Sequence, residues 1–119
     1  MVGSTIPLNQ LQGTGLTVTK EGRVTNANTG LYTVPAGKKA LVVSITALID
    51  ALGGDASAAA AIKRGANFRP VGVMAVVDEV SIFNGQMLLQ AGDIITNVGD
   101  SGATNTTVDM TCTIQEFDV

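Results

Sequence analysis

Histidine and tryptophan are absent from this chain of 119 residues, cysteine occurs once, and aromatic residues make up 3%. Each absence removes a class of chemistry. Without an imidazole there is no ordinary general base for a serine or cysteine nucleophile, and with one thiol besides there is no zinc site. The lone Cys112 has no partner for an internal disulfide. Charge is also scarce, at 14% of residues against about 25% in an ordinary soluble domain. Such a surface is covered by other subunits, or else it is neutral and rich in Thr and Asn. Basic residues cluster no further than Lys38-Lys39 and Lys63-Arg64 in a chain of net charge −3, so the electrostatic footprint of a nucleic-acid binder is missing. No apolar run approaches the length of a bilayer span, and the opening residues do not read as a signal peptide. The expectation is a protein made in the cytoplasm, with no membrane and no nucleic acid among its partners.

What is present is β-structure. The length suits one domain. Apolar residues reach 45%, and with so few aromatics the core must be filled by Val, Ile, Leu, Ala and Met. The organising stretch is Leu31 to Ile49. A short strand over Leu31–Val34 stops at Pro35, which lacks the amide a central ladder needs. Ala36-Gly37 then turns the chain, because glycine reaches positive φ without a Cβ clash. From Leu41 a period of two puts Leu41, Val43, Ile45, Ala47 and Ile49 on one face. That face needs a covering layer, which makes this the central strand of a packed sheet.

Residues 1–15, rich in Gly, Ser, Thr, Asn and Gln, read as an extended N-terminal arm ahead of a sandwich domain over 16–119. The arm is either a frayed terminus or a strap across a neighbouring subunit, with Ile6, Leu8 and Leu11 as its candidate contacts. Leu16–Thr19 reads as a strand turned at Lys20–Gly22. Ala56–Arg64 fits a helix capped at Asp55 or a strand with Ala58, Ala60 and Ile62 on one face; the β-rich neighbourhood favours strand. Gly65–Pro70 reads as a loop and Val71–Val77 as a buried strand. Asn84-Gly85, between Val80–Phe83 and Gln86–Leu89, signals a hairpin. Ile94–Val98 and a closing strand with Val108, Met110, Cys112 and Ile114 inward complete the set. The spacing predicts an all-β fold, an antiparallel β-sandwich of jelly-roll or immunoglobulin-like type.

No motif for chemistry survives inspection. Gly99-Asp-Ser-Gly102 spells the nucleophile turn of trypsin-like proteases but has no base to serve it. Gly30 and Gly37-Lys38 are too far apart for a phosphate loop, and no hydroxyl residue follows the lysine. Asp100, Asn105 and Asp109 are oxygen donors whose spacing matches no calcium loop. Asn105-Thr-Thr107 matches a glycosylation acceptor, which has meaning only in a secreted protein. Asp78-Glu79 and Glu116 are isolated acids, and Cys112 is a small core hydrophobe. The expectation is no enzyme, no catalytic residues, no metal and no cofactor.

Two stretches resemble the small β-sandwich virion proteins of tailed bacteriophages. Leu31-Tyr-Thr-Val-Pro-Ala-Gly-Lys-Lys-Ala-Leu-Val-Val-Ser-Ile45 is similar to their "Tyr-x-Val-Pro-Ala-Gly-Lys" turn feeding a "Val-x-Ser-Ile" strand. Leu88-Leu-Gln-Ala-Gly-Asp-Ile-Ile95 is similar to the turn before their last hairpin, and Thr107 to Phe117 resembles their closing strand. The resemblance covers about a third of the chain and departs from it at Ala56–Ala61. It implies a structural role in the virion, assembled in the host cytoplasm, and no site residue comes with it. Its partners would be the phage major capsid protein or other virion subunits, with the chain as a homo-oligomer, a trimer foremost. A head decoration (cement) protein fits the size, the sparse charge and the arm. Neck, tail or fibre proteins share the composition. A cellular carbohydrate-binding module fits less well, because sugar faces use aromatic platforms and only Tyr32 and three phenylalanines are present.

Overall fold

A computed structural model describes residues 16–101 and 106–118. The arm, with Ile6, Leu8 and Leu11, and the candidate calcium and glycosylation residue Asn105 lie outside the described residues. The strands are β1 (Leu16–Val24), β2 (Tyr32–Thr33), β3 (Lys38–Ala51), β4 (Ala58–Arg64), β5 (Asn67–Pro70), β6 (Val80–Gln90), β7 (Ile94–Gly99) and β8 (Thr107–Asp118). They form two antiparallel four-stranded sheets, ordered β1-β8-β3-β6 and β2-β7-β4-β5.

One rule generates this order. The first strand pairs with the last, the second with the seventh, the third with the sixth and the fourth with the fifth. The chain is thus one long hairpin with its bend between β4 and β5. Rolling that hairpin up adds the pairs β3–β8 and β4–β7. Of the two sandwich types expected, this is the jelly roll. In the Ala56–Arg64 stretch the chain forms strand β4 from Ala58 and not a helix.

The core lies between the sheets and is aliphatic. Ile45, Ala47, Ile49, Val108, Met110, Cys112 and Ile114 from the first sheet face Ala58, Ala60, Ile62 and Ile95 from the second. The inward set on β8 is the one its alternation predicts. Burial raises the pKa of the Cys112 thiol, keeping it protonated and inert.

Five expectations need correction. The inward face of β3 does not run unbroken from Leu41 to Ile49. Against β8 the register slips between Val42 and Ser44, leaving Val43 as an extra residue. That bulge shifts the phase by one. Ala40 and Val42 face the core before it, and Ile45, Ala47 and Ile49 after it. Val43 is 37% exposed, while Leu41, although buried, pairs with Leu88 on the outer face. Asn84-Gly85 is no hairpin turn either. β6 runs through it, because β3 templates both halves and the surplus residues Gly85 and Gln86 are absorbed opposite Val43. Gly85 takes φ +154 there.

The Lys20–Gly22 turn is also absent, since β8 pairs with β1 residue by residue from Leu16 to Val24. Finally, Val71–Val77 forms no buried strand. Its ladder contact is the isolated bridge between Ala58 and Ala75, and Val73, Met74, Val76 and Val77 are exposed. Gly65–Pro70, expected as a loop, contains β5 instead. Gly65 at φ +60 begins a two-residue turn, the geometry that closes tight hairpins.

Candidate interaction surface

Polar side chains in this fold fasten loops to sheets. Tyr32 sits on the short β2 with its ring in the core, and its hydroxyl donates to Glu116 of β8, 2.5 Å away, tying the two sheets together. Desolvation first, then the bond to Glu116, raises the pKa of the phenol, so it stays a donor. Both residues fall in the stretches that resemble virion proteins, and the contact gives them a shared structural job.

Asp55, the cap in the helix alternative for Ala56–Arg64, is a clasp. Its carboxylate accepts from the Ser101 amide at 3.0 Å, from the Ser101 hydroxyl and from Thr106 Oγ1 at 2.6 Å. Asp100 Oδ1 accepts from the Ala56 amide across the same junction. The Gly-Asp-Ser stretch is therefore a loop anchor. Its serine hydroxyl is held by the Asp55 carboxylate. Gly99 has to be glycine, since a Cβ there would collide with the Asp55 carboxylate. Asp109 lies apart from this loop, bound by Arg23 at 2.8 Å on the outer face of the first sheet, so the candidate calcium donors Asp100 and Asp109 serve separate structures. No group of three or more His, Cys, Asp or Glu able to hold a metal occurs among the described residues.

Asp93 is the most deeply placed ionised group. It is 1% exposed and accepts a two-point contact from Arg64, Nε to Oδ1 at 2.8 Å and Nη2 to Oδ2 at 2.5 Å. The Gln90 amide also donates to it. The Arg64 hydrogen bond outweighs desolvation and lowers the Asp93 pKa. This is the aspartate of the Ala-Gly-Asp turn, and it binds the β6–β7 turn to the end of β4.

Two concave surfaces stand out among the described residues. The larger, about 530 Å³, is an open depression over Gly22 on the outer face of the first sheet, where Arg23 and Asp109 already neutralise one another. The second, about 360 Å³, is a groove along the side of the sandwich between β5 and β6. Ile62, Arg64, Asn67 and Arg69 line it from the β4–β5 hairpin. Val71 and β6 residues Met87, Leu88 and Leu89 form the opposite side. The hairpin register explains the grouping: Ile62 pairs with Arg69 and Arg64 with Asn67, so all four share the inner face. In the sequence Gly65–Pro70 reads as a loop, which hides that Arg69 lies on the same face as Arg64. The period of two on either side of Gly65 was the available signal.

A chain from the acidic stable capsid structure of Helicobacter pylori bacteriophage KHP30 matches this chain with a TM-score of 0.55 at 9% identity, covering 87% of this chain and 94% of that one. The fold is one that a phage capsid uses. No family model and no curated protein matches the sequence. At this identity the likeness establishes architecture alone.

Proposed function

We propose that this protein is a non-enzymatic structural component of a tailed-phage virion, and specifically a head decoration protein that bridges and reinforces capsid subunits. The observation that carries the reading is the near end-to-end match of its jelly roll to a capsid chain, joined to the Tyr32–Lys38 and Leu88–Ile95 stretches that resemble virion proteins. In support, Tyr32, Asp55 and Asp93 each work as a fastener between elements of the fold. Large apolar side chains such as Val73, Val76, Ile82 and Leu88 stand exposed as well, at 65%, 48%, 48% and 47%. So many exposed apolar residues in a small domain mark surfaces that other subunits cover.

In this reading the protein acts by adding contact area across joints in the shell, as a homo-oligomer, a trimer, attached to the major capsid protein after synthesis in the host cytoplasm. Ile6, Leu8 and Leu11 of the arm are the proposed subunit contacts. Ordering an arm costs about 1–2 kcal/mol of backbone entropy per residue. Burial of each anchor returns about 1.5–3 kcal/mol. The test is attachment to undecorated heads. The full chain is expected to bind in hundreds of copies per particle, whereas tens of copies would indicate a neck or tail part. The variant Ile6→Ser, Leu8→Ser, Leu11→Ser is expected to melt like the parent but to attach at least tenfold more weakly. Equal attachment would remove the arm from the interface.

A further inference from the structure

We infer that the groove between β5 and β6 is a docking site for an extended segment of a neighbouring virion subunit, one that presents an aspartate or glutamate beside an apolar side chain. The inference rests on the virion reading and adds the chemistry of the partner. The groove has an apolar floor, with Ile62 and Leu89 from the core edge and Met87 and Val71 beside them. Its basic groups are the guanidiniums of Arg64 and Arg69. Arg64 is spoken for by Asp93. Arg69 forms no ion pair among the described residues, so it is the uncompensated cation on that wall. A chain of net charge −3 has thus placed an unmatched positive charge over one apolar trough. Charge complementarity calls for a carboxylate, and a guanidinium binds one in two-point geometry.

The backbone favours an extended occupant. β5 and β6 are the last strands of their sheets on this side, and a free strand edge offers hydrogen bonds to an added strand while alternate side chains enter the trough. About 360 Å³ holds a few side chains and not a folded element. The chain's own first 15 residues do not fit the description, because they contain no aspartate or glutamate.

The experiment compares the full-length protein with Arg69→Glu, Arg69→Lys and, as a matched charge change on the distant β1, Lys20→Glu. Undecorated heads are titrated at low and high salt. Arg69→Glu is expected to weaken attachment at least tenfold, Arg69→Lys by less, and Lys20→Glu by under twofold, with wild-type attachment falling as salt rises. Arg69→Glu attaching within twofold of wild type overturns the inference. If the wild type attaches to no heads, the decoration reading fails, and a second probe judges the groove alone. Isotope-labelled protein is titrated with the capped peptide Leu-Asp-Leu-Asp-Leu and with its lysine counterpart. Amide shifts confined to Asn67–Val71 and Met87–Leu89, seen with the acidic peptide and lost in Arg69→Glu, support the site. Equal shifts with both peptides overturn it. A change of oligomeric state in Arg69→Glu with attachment intact also overturns it, since the occupant is then a second copy.

Discussion

Val43 and Ile45 stand two positions apart on one strand, and the alternation of the sequence assigns both to the core. The bulge at Val43 separates them: Ile45 is fully buried while Val43 is 37% exposed. Ile45→Asp is therefore expected to abolish cooperative folding, because an unpaired buried carboxylate costs several kcal/mol. Val43→Asp is expected to stay folded and lose under about 1 kcal/mol, as surface changes usually do. Paired thermal melts check both. A second residue-scale outcome follows from Asp93. Its pKa is lowered in the folded state by Arg64, so the stabilisation is complete above the unfolded carboxylate value and is lost as pH falls through the lower, folded one. Arg64→Ala leaves a buried carboxylate unpaired, and it is expected to be clearly less stable than wild type at pH 7. The gap should start to narrow as pH falls through the ordinary carboxylate range and close only once pH has passed the lowered, folded value. Urea melts at pH 7, 5 and 3 measure it, and a gap of constant size would show that Arg64 acts through packing alone.

At the scale of elements, the sequence made visible what local chemistry controls. β2 ends just ahead of Pro35, Gly37 turns at φ +78 with the Lys38 amide bonded to Pro35 O, and β8 alternates from Thr107 to Ile114. Hidden from it was everything decided by a neighbouring strand. Asn84-Gly85 is strong turn chemistry, yet β3 holds both halves of β6 in one line. Lys20–Gly22 stays extended because β8 pairs along it. Val71–Val77 is apolar enough for a core strand, but its ladder partner is reduced to Ala58. The groove was invisible for the same reason, since Arg64 and Arg69 meet only after the turn at Gly65 is made. A loop can be as constrained as a strand, and Asn26–Gly30 shows it. Thr96 Oγ1 donates to Ala27 O at 2.8 Å, and Gly30 sits at φ +61 against β7. A Cβ on Gly30 would lie 2.5 Å from an Ile94 methyl and 2.7 Å from Ile95 O. Gly30→Ala is thus expected to cost more than 2 kcal/mol, combining left-handed strain with overpacking. A melt unchanged by that substitution would mean the loop yields easily.

For the whole molecule, the surfaces divide by character. The outer face of the first sheet is threonine-rich and ion-paired toward β1 and β8, where Thr17, Thr19, Thr111 and Thr113 alternate along the ladder. It is apolar toward β3 and β6, where Leu48, Val80 and Ile82 are 41%, 42% and 48% exposed. The side of the sandwich carries the basic groove, so the faces are suited to different neighbours. The pairing rule of the strands also governs how the chain must reach this state. Since each strand in the first half meets its mirror in the second, β4 and β5 are the partners separated by a two-residue turn, and every other ladder closes a longer loop than the one inside it. Closure entropy rises with loop length, and folds dominated by distant pairings assemble in milliseconds to seconds. The cheapest route begins at Gly65 and zips outward, with β1 and β8 sealed last. Substituting Gly65 by valine, at φ +60, is accordingly expected to slow refolding, whereas loss of the Arg23–Asp109 pair at the seam should leave refolding unchanged and hasten unfolding. Stopped-flow chevrons of the two variants would register the difference, and a slowed folding limb in the seam variant would reverse the order. A chain built this way is finished last at the sheet edge where its first and last strands meet, and that edge would be the first to open under load.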